Sequence, residues 1–265
     1  MKIASWNINS LRKRIDRLFE WLAAASPDVV CLQETKCTDE QFPELALRAA
    51  GYHCAFHGQK SYNGVAILSK GKLRDVRAAL CDEVVDPHAR VIAATIGDVR
   101  VFSVYAPNGQ AIGSPAYDYK IQWYARLRAC LEKTESSAKN LVVCGDFNVA
   151  PRDEDVHDPV LWRGAIMCSD GERAVFRQLC DLGLTDTLRL HHSEGGLFSW
   201  WDYRMLAFPK NRGLRIDAIL ASAKLAARCT AAGIDREMRK GKEPSDHAPV
   251  WAKFSLQERE TFNIK

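Results

Sequence analysis

The pattern of hydrophobic and polar positions predicts an alternation of short buried strands and amphipathic helices. Residues 2–8 have strand character, and apolar side chains from Leu11 to Leu22 then recur at helical spacing. Ser10 stands where the N-cap of that helix would be, and Pro27 marks its end. The run DVVCLQE at residues 28–34 is almost continuously apolar, which is typical of a strand buried on both faces.

The rest of the chain also alternates between strand-like runs and apolar residues at helical spacing. Further strands are predicted at residues 52–56, 64–69, 90–96, 99–105, 141–145, 216–222 and 250–256, and helices near residues 40–50, 117–134 and 171–182. Gly97 and Asp98 separate two of these strands and indicate a tight hairpin turn. Helices flank at least two groups of strands, so we predict an α/β fold of two packed mixed β-sheets with helices outside. We expect a single domain over residues 1–256 and a C-terminal tail at 257–265.

Composition and charge narrow the class of protein only modestly. Of the 265 residues, 47% are hydrophobic and 26% charged, which is an ordinary globular composition. The net charge of +4 permits a nucleic-acid partner without requiring one. Nine cysteines lie scattered, many in apolar runs, which predicts reduced buried thiols in a reducing compartment. Without a signal-like start or an apolar run of about 20 residues, we expect a cytoplasmic protein that binds no membrane.

Polar residues recur where the predicted strands end. Asp146 and Asn148 follow the apolar run LVVCG and lie two positions apart, so they share one face of the strand. Both residue types also favour turns, and this pair alone would indicate little. Similar residues stand at or within other strands, namely Asn7, Asn9, Glu34, Tyr105, Asn108, Asp217, Asp246 and His247. Because a charge in apolar surroundings is costly unless it is paired or metal-bound, this repetition predicts one shared site.

The residue types in this set favour phosphoryl chemistry. Glu34, with further carboxylate and amide oxygens, makes a hard oxygen site suited to Mg²⁺ or Mn²⁺. A histidine beside such a site can stabilise a phosphate, while a carboxylate orients water. The chain has no ligand spacing for zinc, no nucleotide-binding glycine motif and no GxSxG elbow.

Eight motifs resemble one family. They are ASWNINSLRKR, PDVVCLQETK, YNGVAILSK, VYAPNG, VVCGDFNVAP, FSWWDYR, NRGLRIDAIL and SDHAPV, and they span nearly the whole chain. In this order they resemble the exonuclease III family of apurinic/apyrimidinic endonucleases, in the DNase I-like endonuclease/exonuclease/phosphatase superfamily. The resemblance implies a four-layer α/β sandwich with the active site at one end of the two sheets.

The resemblance also implies roles for the polar set. Glu34 resembles the principal Mg²⁺ ligand, and the implied metal site further includes Asn7, Asp146, Asn148 and Asp246. Asp146 resembles the residue that orients the attacking water, and Asn148 its positioning partner. His247 resembles the phosphate-contacting histidine, and Asp217 the carboxylate that holds its imidazole, since a histidine needs a partner to fix its tautomer. Tyr105 and Asn108 resemble phosphate or water contacts.

DNA contacts are predicted around this centre. The residues are Asn9, Arg12, Lys36, Asn63, Asn108, Trp200 and Arg204. Basic clusters at 12–17, 210–215 and 236–242 lie near the motifs and predict phosphate contacts. Of the adjacent Trp200 and Trp201, at least one is expected in the core, and Arg204 is a candidate for stacking or wedging beside an extruded nucleotide.

The predicted function is that of a Mg²⁺-dependent DNA repair phosphodiesterase, with Mn²⁺ able to substitute. It would act as a monomer on double-stranded DNA, cutting 5′ to abasic sites and trimming damaged or recessed 3′ ends. One alternative is a 3′-exonuclease and phosphatase with little abasic endonuclease activity, and another is a phosphoinositide or sphingomyelin phosphodiesterase. A non-catalytic nucleic-acid-binding protein would show gaps in the polar set, and there are none. The sequences of the loops at 109–118 and 151–172 do not determine the balance between abasic endonuclease activity and 3′-exonuclease or phosphatase activity.

Overall fold

Two six-stranded sheets form the centre of the computed structural model, which describes residues 1–135 and 140–255. The strands are β1 (Lys2–Asn7), β2 (Val29–Gln33), β3 (His53–His57), β4 (Val65–Ser69), β5 (Leu73–Arg77), β6 (Val91–Ile96), β7 (Val99–Tyr105), β8 (Leu141–Asp146), β9 (Leu184–Asp186), β10 (Asp217–Ser222), β11 (Cys229–Ile234) and β12 (Val250–Phe254). The first sheet has the order β11-β12-β1-β2-β4-β3 and the second the order β5-β6-β7-β8-β10-β9. The predicted boundary at 256/257 lies outside the described residues.

Seven α-helices and three short 3-10 helices, at Asp39–Gln41, Asp153–Asp155 and Arg236–Arg239, complete the described structure. The α-helices are α1 (Ile15–Ala25), α2 (Glu44–Ala49), α3 (Pro115–Glu135), α4 (Pro159–Trp162), α5 (Asp170–Cys180), α6 (Thr187–His191) and α7 (Ala223–Ala226). Each sheet contains one parallel pair, β1 with β2 and β7 with β8, and its other strand pairs are antiparallel. The parallel pairs are crossovers through α1 and α3. In the described part of the chain, no helix combines the length and apolar character needed to cross a membrane.

Alternate side chains of the central strands enter two different cores. In β8, Val142 and Cys144 face the core between the sheets, whereas Leu141 and Val143 pack with Trp123 and other side chains of α3 and α5. In β2 the same alternation divides residues between the inter-sheet core and the layer under α1. This burial on both faces explains the continuous apolar runs. The layers therefore run helix, sheet, sheet, helix, which confirms the predicted sandwich.

The first helix begins later than predicted. Ser10 has φ 87° and does not cap a helix, because its backbone N–H donates to Glu34 O at 2.7 Å, and the next residue, Leu11, donates to Thr35 O at 3.0 Å. The segment after β1 is thus hydrogen-bonded to the segment after β2, and α1 starts only at Ile15. These backbone hydrogen bonds hold two predicted site segments side by side.

Two further differences concern strands and cysteines. The strands β5, β9 and β11 were missed, because the first is a largely exposed edge strand, the second has three residues and the third is rich in small residues.

Cys81 and Cys130 form a disulfide, contrary to the prediction of reduced thiols, because the segment after β5 packs against α3. The other seven cysteines are free.

Candidate active site

The predicted site residues converge at one end of the packed sheets. Asn7 ends β1 and Glu34 follows β2, and the parallel pairing of these strands brings their carboxyl ends together. In the other sheet Asp146 ends β8 and lies opposite Asp217, the first residue of the antiparallel β10. His247 precedes β12, which runs antiparallel to β1. The register of the sheets therefore brings these residues to one place.

Gly145 allows β8 to approach β7 closely at the residue before Asp146. Its φ is 153°, and an added Cβ would lie 1.8 Å from the carbonyl oxygen of Val104 in β7. A side chain at this position would force β8 away from β7 and move Asp146 with it. The glycine in the motif GDFN is thus required by close backbone approach.

A line of three buried groups runs through the centre of the site. His247 Nδ1 lies 2.8 Å from Asp217 Oδ2, and its Nε2 lies 3.7 Å from Asp146 Oδ2. Burial alone lowers the pKa of His247, but the carboxylates of Asp217 and Asp146 outweigh it and raise that pKa to about 10. The imidazole is therefore protonated at neutral pH and can donate from Nε2.

Asp146 has an environment suited to exchanging a proton. Burial raises the pKa of its carboxyl to about 7, with the imidazolium of His247 opposing and the charge of Asp217 adding to the shift. Its Oδ2 accepts from Asn7 Nδ2 at 2.9 Å, and its Oδ1 accepts from the backbone N–H of Asn148 at 2.9 Å. A pKa near neutrality is what a general base at this position needs.

Asn7 bridges two carboxylates. Its Nδ2 donates to Glu34 Oε1 at 2.8 Å as well as to Asp146, and its Oδ1 accepts from the backbone N–H of Asn9 at 3.1 Å. Lys36 approaches the other oxygen of Glu34 at 2.7 Å. In this arrangement Asn7 turns its amide nitrogen, not its oxygen, toward the carboxylates.

One group of side chains in the described residues could hold a metal ion. Glu34, Asp146 and His247 each offer a ligand atom, and these atoms lie within 4.8 Å of one another. The three carboxylates of Glu34, Asp146 and Asp217 face two positive charges, Lys36 and the imidazolium of His247, which leaves room for a further positive charge. With His247 protonated, the carboxylate oxygens of Glu34 and Asp146 are the ligands that suit a hard divalent cation. Asp246 lies outside this group, because its Oδ1 accepts from Asn9 at 2.8 Å and its Oδ2 from Trp200 Nε1 at 3.1 Å.

Tyr105, Asn108 and Asn148 form one wall of the site. Asn108 Nδ2 donates to Asn148 Oδ1 at 3.2 Å, and Asn148 Nδ2 donates to Ala106 O at 2.9 Å. Burial, together with the charges of Glu34 and Asp146, raises the pKa of Tyr105 well above its usual 10. The phenol is therefore protonated at neutral pH and is available as a donor.

Most of the residues predicted to contact DNA, Arg12 and Arg204 excepted, lie beside residues of this centre. Asn9 accepts from Lys36 Nζ at 2.6 Å, and Asn63 lines a cavity of about 360 Å³ together with Asn108. Trp201 is fully buried, as expected for one of the two tryptophans, while the half-buried Trp200 borders the site through Asp246.

Two predicted DNA-binding arginines lie on the surface. Arg204 is paired with Asp202 at 3.0 Å, and its side chain is 84% exposed. Arg12 is exposed and makes no hydrogen bond or ion pair to the described residues.

Four residues of the basic clusters serve the protein itself. Arg14 donates to Tyr203 Oη at 3.0 Å, and Arg17 donates to Met238 O at 2.6 Å. Arg239 donates to the carbonyl of Ser245, and Arg215 pairs with buried carboxylates. These four guanidinium groups thus donate to groups of the protein itself, and the predicted phosphate contacts of the basic clusters stay a prediction.

Supporting residues near the site were missed by sequence reasoning. Ser245 Oγ donates to Asn7 O at 2.7 Å and accepts from His247 N at 3.2 Å, and Ser199 Oγ accepts from the N–H of Asp217 at 3.1 Å. Lys120 and Glu172 form a buried ion pair beneath Asn148. The position of Ser245 in SDH was a signal that could have been used, whereas nothing in the sequence singles out Lys120.

The fold and this constellation define a phosphoesterase of the DNase I-like type. Residues 4–247 match the Endonuclease/Exonuclease/phosphatase family, and the chain belongs to that family. It is 39% identical over 266 residues to exodeoxyribonuclease III of Haemophilus influenzae, covering 96% of this chain and 100% of that protein. This confirms the prediction of an exonuclease III-type nuclease.

Solved structures agree in fold over almost the whole chain. The 3′ phosphatase NExo from Neisseria, bound to a product DNA hairpin, has a TM-score of 0.95 and 46% identity, covering 97% of this chain and 100% of that one. An AP endonuclease from Archaeoglobus fulgidus has a TM-score of 0.93 and 39% identity, with the same coverage. These matches confirm the predicted DNase I-like fold.

Proposed function

We propose that this chain is a DNA repair phosphodiesterase that cuts 5′ to abasic sites and trims 3′ ends. The observation that carries the proposal is the buried line Asp217–His247–Asp146 beside Glu34. It combines a protonated donor, a carboxylate with a pKa near neutrality and a carboxylate group suited to a divalent cation, which are the parts that phosphodiester hydrolysis needs. The names of the relatives, among them DNA repair nuclease APEX1 of Danio rerio, support DNA repair as the setting.

In the proposed reaction, Asp146 orients a water that attacks the phosphorus, and it accepts the proton of that water. The P–O3′ bond breaks as the new P–O bond forms, and the 3′-oxygen leaves. His247 and Tyr105 donate hydrogen bonds to the non-bridging phosphate oxygens, where negative charge develops. Asp217 fixes the imidazole so that Nε2 points into the site. Asn148 and Asn108, hydrogen-bonded to each other, line the side of the site beside the attacking water. When bound through Glu34 and Asp146, Mg²⁺, or Mn²⁺ in its place, would supply neutralisation of the phosphate and of the leaving oxygen.

The proposed substrate is double-stranded DNA with an abasic site or a damaged or recessed 3′ end. Asn9, Arg12, Lys36, Asn63, Trp200 and Arg204 remain the predicted DNA contacts. Arg12 supports this, because its guanidinium is exposed and makes no hydrogen bond or ion pair to the described residues. Action as a cytoplasmic monomer belongs to the same proposal.

A second candidate is a 3′-exonuclease and 3′-phosphatase with little abasic endonuclease activity. It is favoured by the similar Neisseria protein, whose structures are described as a 3′ phosphatase and a 3′-5′ exonuclease. The same catalytic set would serve both candidates, and the substrate fit would differ.

A cleavage assay separates the candidates. One labelled duplex carries a single stable abasic-site analogue, another an undamaged recessed 3′ end, and a third a 3′-phosphate, each with Mg²⁺ and with EDTA. A single Mg²⁺-dependent cut at the analogue supports the first candidate. Trimming or dephosphorylation of 3′ ends with the analogue intact supports the second. No cleavage of any substrate would contradict both.

A further inference from the structure

A buried ion pair lies beneath the site, between the two long helices of the outer layer. Lys120 of α3 and Glu172 of α5 are both fully buried, with Nζ and Oε1 2.5 Å apart. The surrounding helix faces pack with apolar residues such as Trp123, Leu127 and Phe176. Because a buried ion pair is often no more stabilising than apolar residues of similar size, its role is argued from the further contacts that the two side chains make.

The ammonium of Lys120 has one acceptor for each of its three N–H groups. Besides Glu172, it donates to the backbone carbonyls of Asn108 at 3.0 Å and Asn148 at 2.7 Å. One carbonyl belongs to the loop after β7 and the other to the loop after β8. A single side chain therefore fixes the separation of two loops that form the wall of the site.

Lys120 acts on the turn that faces Asp146. Asn148 has φ 50°, in the left-handed region that asparagine adopts more readily than most residues. Its carbonyl points to Lys120, and its N–H points to Asp146 Oδ1 at 2.9 Å. Fixing the carbonyl of this residue thus fixes the direction from which its N–H reaches the carboxylate.

Glu172 extends the connection to the segment before α5. Its Oε1 accepts from the N–H of Met167 at 3.0 Å, and its Oε2 accepts from Ser169 Oγ at 2.6 Å. The carbonyl of Met167 in turn accepts from the N–H of Ala150 at 2.8 Å, two residues beyond Asn148. The loop after β8 is held from both sides by the same ion pair.

We propose that Lys120 and Glu172 form a positioning pair that sets Asn108, Asn148 and, through Asn148, the carboxylate of Asp146 for hydrolysis. The claim that this positioning serves hydrolysis rests on the proposed function. Both side chains are fully buried, so the pair acts through the two loops.

The test removes both charges together, because Lys120→Met alone leaves a buried carboxylate without a counter-charge and risks unfolding. In Lys120→Met/Glu172→Gln we expect kcat on a recessed 3′ end to fall about 10- to 100-fold, since a small displacement of catalytic groups has effects of this size. KM should change by less than about threefold, because the surface contacts to DNA remain. A folded double variant with wild-type kcat would overturn the proposal.

Coupling to Asp146 separates positioning from loss of stability. In an Asp146→Asn background the same double substitution should lower kcat by less than about threefold, because the carboxylate that it positions is already gone. Leu127→Ala is the matched control, since it also removes a buried side chain from α3 but one that donates no hydrogen bond to either loop, and its effect on kcat should be small in both backgrounds. Equal losses from the double substitution with and without the Asp146 carboxylate would contradict the inference.

Hydrogen exchange gives a readout that needs no activity. The double substitution should speed exchange of the Asn148 amide by at least about tenfold, while the amide of Val143 within β8 stays protected. If the wild type cleaves no substrate, the proposed function fails, and the exchange result still decides whether the pair holds the loop. Unchanged exchange of the Asn148 amide would overturn the positioning role.

Discussion

At the scale of single residues, the chemistry depends on how neighbours set the charge of His247 and Asp146. Asp217 and Asp146 both lie against the imidazole, and burial isolates all three from water. The result is a histidine that stays protonated and a carboxylate whose pKa of about 7 lets it accept a proton near neutral pH. Two acidic residues of the same type thus acquire different roles from their surroundings.

The pH dependence of Asp217→Asn tests this arrangement. In the folded protein the raised pKa keeps His247 charged until the pH approaches about 10. The stability that this charge contributes is fully present below the unfolded pKa of about 6.5 and is lost as the pH rises through about 10. Removing the charge of Asp217 lowers that pKa, so the alkaline limb of kcat/KM should move to lower pH, and the rate at neutral pH should fall about 100-fold. The exposed Asp181→Asn is the control. An unmoved alkaline limb would count against the assigned pairing.

Glu34→Gln tests the carboxylate group assigned to the cation. Removing one of two nearby carboxylate charges should weaken Mg²⁺ binding at least about tenfold, because hard divalent cations depend on anionic oxygen ligands. Calorimetric titration of the protein with Mg²⁺ measures this directly, without DNA. Equal affinities for wild type and variant would show that the cation binds elsewhere.

At the scale of elements, most of the fold could be predicted because the central strands are buried on both faces. The continuous runs of β2 and β8 and the turn between β6 and β7 were visible in the sequence. The exposed β5 has no apolar pattern, and the late start of α1 depends on backbone hydrogen bonds from Ser10 to another strand end. Such tertiary contacts leave no local pattern in a sequence.

The candidate site shows the same division between what was predictable and what was not. The convergence of Glu34, Asp146 and His247 followed from polar residues at strand ends. The sequence did not predict that Arg14 and Arg239 donate to carbonyls of their own chain. A basic residue beside a motif has the same sequence context whether it contacts a phosphate or a backbone carbonyl.

Ser245→Ala tests how the segment before β12 is attached to β1. The substitution removes a donor to Asn7 O and an acceptor for the N–H of His247, both fully buried. Leaving these groups unsatisfied should lower the free energy of unfolding by about 1–3 kcal/mol. Urea denaturation measures the loss, and the exposed Ser193→Ala should be neutral. A neutral Ser245→Ala would mean that water replaces the hydroxyl.

At the scale of the whole molecule, two mixed sheets bring six strand ends into one small volume while helices cover the outer faces. The net charge of +4 is modest, and several of the basic residues near the motifs are used internally. We therefore expect DNA to be held by a few phosphate contacts around the site, and not by a broad basic surface.

The salt dependence of DNA binding tests that expectation. The logarithm of the affinity should fall linearly with the logarithm of salt concentration, and Arg12→Ala should reduce the slope by about 1, which corresponds to one lost phosphate contact. Lys72 is an exposed basic residue before β5, at the far end of the sheets, and Lys72→Ala should leave the slope unchanged. Equal slopes for the wild type and Arg12→Ala would remove Arg12 from the DNA contacts.

The most direct test of the central claim is single-turnover cleavage of a recessed 3′ end by wild type and Asp146→Asn with saturating Mg²⁺. Asparagine keeps the size of the side chain and loses its basicity. We predict a rate lower by about 100- to 10,000-fold, with DNA affinity and the circular dichroism spectrum unchanged. A folded Asp146→Asn protein that cleaves at close to the wild-type rate would contradict the assignment of this strand-end site as the centre of hydrolysis.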